Sequence, residues 1–147
     1  MQSETQDILR RKGLQVTTQR MAILESVTET PHCTAEFVES DVSDRIGSIS
    51  HQAVYDGLRT LVDHGLLRRI QPSGLPARFE PRTEENHHHF ICRSCKRMID
   101  IEWKPEHAPC LEPSTPAGCE IHEAEVIYWG RCPDCRTNES TSKSRER

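Results

Sequence analysis

The chain has 147 residues, is 29% charged and carries a formal charge of −4 at pH 7 with its histidines neutral. That length accommodates one ordinary domain or two small ones, and small halves tend to need a metal or a partner to be stable. An acidic balance excludes a protein that clings to any polyanion, so contact with a nucleic acid must come from a local surface.

No apolar run approaches the length of a membrane helix, and Met1-Gln2-Ser3-Glu4-Thr5 lacks the basic and apolar regions of a signal peptide. A cytoplasmic protein with no membrane partner is expected. Seven cysteines in a short secreted chain would suggest a disulfide framework. The odd count and the paired C-x-x-C spacing favour thiolates in a reducing compartment instead.

In chain order, a first short helix is expected from about Ser3 to Lys12, with Ile8 and Leu9 as its apolar contacts and Gly13 as its stop. Thr17 or Thr18 can cap a second helix whose buried side is Met21, Leu24 and Val27, and Pro31 ends that region. A third helix begins near Thr34, with Val38, Val42 and Ile46 forming an inward stripe before Gly47.

The fourth helix runs from a Ser50 cap towards Gly65. Val54, Leu58, Leu61 and Val62 recur at helical spacing and face the core, which leaves His51, Gln52, Tyr55 and Arg59 on the opposite side. Leu66–Ile70 and Ala77–Glu80 then read as two strands joined by a turn holding Pro72, Ser73, Gly74 and Pro76.

Three helices and a two-stranded hairpin make the plan of a winged helix, whose last helix enters the major groove. On that plan His51, Gln52, Tyr55 and Arg59 are the reading surface, and Arg68, Arg69 and Arg78 sit near phosphates. The plain alternative is that this row is only the wet side of an amphipathic helix.

Beyond Pro81 the composition changes. Thr83-Glu84-Glu85-Asn86 is a polar connector, followed by strand-like segments around Phe90-Ile91 and Met98–Ile101. Four prolines between Trp103 and Cys119 predict an irregular loop, and Glu125–Trp129 predicts a strand leading to Cys132 and Cys135. The expected division is a winged-helix domain over residues 1–82, a small α/β domain over 83–136, and a disordered polar tail over 137–147. The fold class is therefore α+β.

Two constellations carry chemistry. Cys92, Cys95, Cys132 and Cys135 form two C-x-x-C knuckles able to close a tetrahedral site without an open position, as a structural zinc requires. His87 and His89 alternate along a strand and point to one side, with His88 on the other, which suits two ligands to one ion. A solvated histidine run is the competing account. Neither a phosphate-cradling glycine loop nor a nucleophile elbow is present, so no enzyme is expected. A thiol-disulfide oxidoreductase using C-x-x-C would call for a βαβ pattern that is missing here.

Over roughly Ile8 to Cys135 the chain resembles the ferric uptake regulator family of metal-dependent repressors. The resemblance rests on Thr17-Thr18-Gln19-Arg20, His32-Cys33-Thr34-Ala35, Gln52-Ala53-Val54-Tyr55, Ala77-Arg78-Phe79-Glu80, Asn86-His87-His88-His89 and the twin C-x-x-C pairs. Gln71-Pro72-Ser73-Gly74, Cys92-Arg93-Ser94-Cys95 and Val126-Ile127-Tyr128-Trp129-Gly130 look like its FurA-type, redox-responsive branch, often linked to catalase-peroxidase genes.

The resemblance implies a homodimer on a double-stranded DNA operator, with Arg20 joining the DNA contacts. It implies a regulatory site of His32, Glu80, His87 and His89, with Asp100 as a fifth ligand in peroxide-sensing members. Nitrogen and oxygen donors suit iron(II) or manganese(II), whereas the thiolates suit zinc. A different divalent ion, zinc included, can take the regulatory site in a crystal. No small-molecule substrate is implied beyond the oxidant signal.

In the resemblance, Asp100 goes with peroxide sensing; the alternatives are a sensor of iron or zinc supply and thiol oxidation with loss of zinc. Asn86 and Ala124 depart from relatives that carry a third site, and His88, Glu106, His107, His122, Glu123 and Glu125 are the remaining donors for one. Cys110 and Cys119 are read as two spare thiols, with an approach to each other across the proline-rich loop as the alternative, and Cys33 as a buried small residue.

Overall fold

The computed structural model describes residues 2–82, 87–102, 117–120 and 126–141, with backbone alone at 87, 102 and 138–141. The chain divides into two compact units, Met1–Thr83 and Glu84–Arg147.

The first unit opens with α1 (Gln2–Arg11), which buries Leu9 completely. Gly13 takes a left-handed φ of +77° and lets the Leu14 N–H turn back onto the Leu9 carbonyl at 3.0 Å. α2 (Thr18–Glu29) starts where the Thr17 side chain accepts a hydrogen bond from the Arg20 N–H at 3.1 Å. It buries Ala22, Ile23, Leu24, Ser26 and Val27, a wider face than Met21, Leu24 and Val27. The cause is that α2 packs against α1, α3, α4 and the sheet together, so no single stripe suffices.

α3 (Ala35–Ile46) is capped by Thr34, buries Val38 and Val42, and stops at Gly47. Arg45 fastens it to α2: its guanidinium bonds Asp41 at 2.9 Å, meets Glu29, and lies 3.7 Å from Glu25. α4 (His51–Asp63) is capped by Ser50 and buries Val54, Leu58 and Leu61. The Leu66 N–H returns to the Leu61 carbonyl and the Gly65 N–H to that of Val62, the left-handed stop that the sequence predicts at Gly65.

The wing differs from the expected two-stranded hairpin. β1 (Cys33–Thr34), β2 (Leu67–Ile70) and β3 (Arg78–Pro81) form a three-stranded sheet in the order β1-β3-β2. Cys33 pairs with Phe79 and Thr34 with Arg78, antiparallel. Two residues are too few to show an alternation, so β1 leaves no mark in the sequence pattern.

The second unit holds a sheet of β4 (His87–Cys92), β5 (Met98–Glu102) and β6 (Ile127–Gly130), with β4 central, antiparallel to β5 and parallel to β6. β6 is shifted towards the C-terminus relative to the predicted Glu125–Trp129 strand, and residue 125 lies outside the described residues. α5 (Pro133–Thr141) corrects the expectation of a disordered tail from Thr137. Pro133 suits a first helical position, Asp134 suits the positive end of the helix dipole, and the Cys132–Cys135 knuckle seeds the first turn. Residues 142–147 lie outside the described residues. Among the described residues, no helix is long and apolar enough to cross a membrane.

Candidate functional site

The sharpest geometry is the thiolate cluster. β4 ends at Cys92, a turn through Lys96, with φ +65°, presents Cys95, and α5 begins between Cys132 and Cys135. The four sulfurs lie within 4.8 Å of one another, and Cys95 Sγ is 3.8 Å from Cys132 Sγ. A tetrahedral zinc with Zn–S bonds near 2.3 Å sets its sulfurs about 3.8 Å apart, so the donors fit that ion.

The local backbone is arranged for charge on sulfur. The Cys95 and Cys132 N–H groups donate to Cys92 Sγ at 3.5 and 3.4 Å, and these bonds hold the Cys92 thiol down at about 5. The Cys135 thiol, hydrogen-bonded to the sulfurs of Cys132 and Cys92, is pushed up to about 12. One thiolate is thus favoured and further ionisation beside it is opposed, a conflict that a divalent cation removes. Cys33 is different: burial pushes its thiol up to about 11 and makes it an inert small core residue, as expected.

Each unit also builds a pair of harder donors. In the first, His32 Nε2 lies 3.2 Å from Glu80 Oε2, with Glu80 buried at the end of β3. His32 itself adopts φ +69°, unusual for a residue with a side chain, and its N–H donates to the Phe79 carbonyl at 2.8 Å. In the second, His89 and Asp100 stand opposite each other on β4 and β5, and His89 Nε2 is 3.4 Å from Asp100 Oδ1. His89 is fully buried, while Asp100 keeps half its side chain exposed. The backbone of β4 puts His87 and His89 in alternate register; the side chain of His87 lies outside the described atoms.

Two arginines expected near phosphates also have partners within the fold. Arg68 pairs across strands with Glu80, and its Nη1 lies 3.9 Å from Glu80 Oε1; Arg78 Nη1 donates to the His32 carbonyl at 3.3 Å. Both are half-buried. The antiparallel register places Arg68 directly opposite the Glu80 carboxylate.

On α4, His51, Gln52, Tyr55 and Arg59 are all exposed, with the Tyr55 ring tilted by 46° against that of His51 at a centroid distance of 4.5 Å. Arg69 is exposed on β2, and Tyr55, Arg59 and Arg69 share a cleft of about 500 Å³ between α4 and the wing. Arg20 is half-buried and donates to the Gln15 carbonyl at 3.0 Å.

Two carboxylates on this face were absent from the sequence reading. Glu39 receives His51 Nδ1 at 3.0 Å, and Asp56 receives Gln52 Nε2 at 3.0 Å and lies 3.7 Å from Arg59. Asp56 had a signal, since it stands four residues after Gln52 and three before Arg59. Glu39 had none, because its partner is on another helix.

Several expected features lie outside the described residues: the Thr83–Asn86 connector, most of the proline-rich loop, Cys110, and the third-site donors Glu106, His107, His122, Glu123 and Glu125 together with Ala124. Cys119 is described and exposed. His88 meets the Tyr128 ring edge-on at 6.3 Å.

A winged helix followed by a small α/β unit with a four-thiol cluster defines a narrow class of regulator. The family model for the ferric uptake regulator family matches residues 11–128, and the chain belongs to that family of transcriptional regulators. It is 47% identical over 136 residues to the transcriptional regulator FurA of Mycobacterium tuberculosis (strain ATCC 25618 / H37Rv), covering 92% of each chain. It is 27% identical over 134 residues to the peroxide-responsive repressor PerR of Staphylococcus epidermidis, covering 87% of this chain and 85% of that one. Among solved structures it is similar to the Vibrio cholerae ferric uptake regulator, with a TM-score of 0.70 and 26% identity over 86% of this chain and 98% of the other.

Proposed function

We propose that the chain is a homodimeric, metal-dependent repressor of oxidative-stress genes of the catalase-peroxidase type, released from its operator by peroxide. The observation that carries the reading is the separation of donors by softness: four thiols in one cluster, imidazole–carboxylate pairs elsewhere. In this proposal Cys92, Cys95, Cys132 and Cys135 hold a structural zinc, and residues 83–136 form the pairing domain. His32, Glu80, His87, His89 and Asp100 together hold iron(II) or manganese(II).

When these five side chains share one ion, the winged domains of the dimer settle at a spacing that matches two half-sites. A preference of about 3 to 5 kcal/mol for that state gives near-complete switching. His51, Gln52, Tyr55 and Arg59 then read bases, while Arg20 and Arg69 meet phosphates. Arg68 and Arg78 are assigned to the support of Glu80 and His32.

For the signal, bound iron(II) supplies the means to activate peroxide. One oxygen of hydrogen peroxide enters a ring C–H of His87 or His32 and the other leaves as water. The altered ring no longer offers the same nitrogen donor, and the half-set it belongs to lets go. A sensor of iron or zinc supply governing uptake genes is the second reading; it shares the fold and differs only in this step.

The test begins with protein purified without air. Two metals per protomer are expected, with zinc retained and the second ion lost in His87→Ala. Loss of both would merge the sites and end the proposal. Mass spectrometry of the iron form after peroxide should find one added oxygen on a peptide containing His32 or His87. An unmodified protein that still leaves DNA on chelation would establish the supply sensor instead.

A further inference from the structure

A negative charge stands in the middle of the proposed reading face. Asp56 lies on the exposed side of α4 among Gln52, Tyr55 and Arg59, where a surface meant for phosphates should avoid it. It is tied to its neighbours: Gln52 Nε2 donates to Asp56 Oδ1 at 3.0 Å, and Arg59 Nη1 lies 3.7 Å away.

A carboxylate only accepts, so it dictates which way the Gln52 amide turns. The NH₂ group faces Asp56, and one of its two hydrogens is committed there. Gln52 is left with Oε1 as an acceptor and a single N–H as a donor. Adenine offers the complement in the major groove, a donor at N6 and an acceptor at N7. Guanine offers acceptors at both N7 and O6, and would need both hydrogens of an amide that has only one to give.

We propose that Asp56 is a specificity-determining positioning residue: by fixing the Gln52 amide it selects adenine over guanine at one base pair of each half-site. The inference rests on the DNA-binding reading given above. It assigns Asp56 no contact with the base; the residue acts through Gln52. Its hold on Arg59 has a second effect, since an arginine shared with a carboxylate presents less positive charge to DNA of any sequence and lowers affinity for unrelated duplex.

The experiment is selection from a randomised duplex pool by the full-length, manganese-loaded protein, with Gln52→Ala, Asp56→Ala and Asp56→Asn run beside the wild type. The wild type should enrich adenine over guanine about tenfold or more at one pair per half-site, the scale of a good bidentate contact. Gln52→Ala should erase the preference at that pair. Asp56→Ala and Asp56→Asn should bring guanine to within about twofold of adenine there and leave other positions as they were, while binding to unrelated duplex rises.

All of these side chains are exposed, and unchanged melting curves would show that the variants are folded. A wild-type adenine preference preserved in both Asp56 variants overturns the inference, as does a Gln52→Ala profile identical to wild type. A wild type that enriches no sequence at all is a different failure: it removes the DNA-binding reading itself, and this inference with it.

Discussion

Between Met1 and Thr83 the protein is held by hydrocarbon: Leu9, Ile23, Val27, Val38, Val42, Val54, Leu58, Leu61 and Leu67 are almost or entirely sealed from water. Beyond Glu84 the buried set among the described residues is Ile91, Met98, His89 and the two sulfurs of Cys92 and Cys132. The first unit is stabilised by apolar area, at about 1.5–3 kcal/mol for each fully buried aliphatic side chain. Among its described residues the second has little of that, and what is buried centres on a thiol cluster. If the thiol cluster holds the zinc proposed for it, the first unit should fold by itself and the second should depend on that ion.

The largest expected effect tests that dependence. Cys92→Ser removes the sulfur that receives two backbone N–H groups and one ligand from the proposed zinc site; structural zinc in small zinc-finger domains contributes on the order of 10–16 kcal/mol to folding. Zinc content should fall to near zero and limited proteolysis should cut beyond Glu84, while the Met1–Thr83 unit stays protected. Equal loss of protection in both halves would break the comparison.

Leu61→Ala is the reciprocal perturbation. It should cost about 2–5 kcal/mol in denaturant unfolding of the winged unit, because Leu61 is fully buried between helices, and zinc content should not change. A coupled loss of zinc would mean that the halves do not fold independently.

The smallest effect concerns pH. Burial opposes the ionisation of Asp41, but the Ser26 hydroxyl and the Arg45 guanidinium outweigh it and hold the carboxyl below its ordinary value of 3.8. A carboxyl depressed by folding gives stability that is present above the ordinary value and lost as pH falls through the folded one. The melting temperature of Asp41→Asn should therefore lie slightly below wild type at neutral pH, with the gap closing below about pH 4. A gap that persists in acid would place the role of Asp41 in packing rather than charge.

Much of this was legible before the fold. Caps at Thr17, Thr34 and Ser50 and stops at Gly13, Gly47 and Gly65 are local chemistry, readable one turn at a time. The four cysteines announce themselves by spacing, since a knuckle needs its two sulfurs close in sequence. The Gln52–Asp56 contact was also within reach, because a helix alone brings those positions together.

What the sequence by itself determined is whatever is settled over a few residues: helix ends, the apolar faces of α3 and α4, and the pairing of thiols. Tertiary structure alone decided the strand at Cys33–Thr34, the partnership of Glu39 with His51, and the turning of Arg68 and Arg78 towards Glu80 and His32. The physical reason is range. A hydrogen bond or ion pair between residues far apart in the chain depends on where two elements cross, and no periodicity within either element records that crossing.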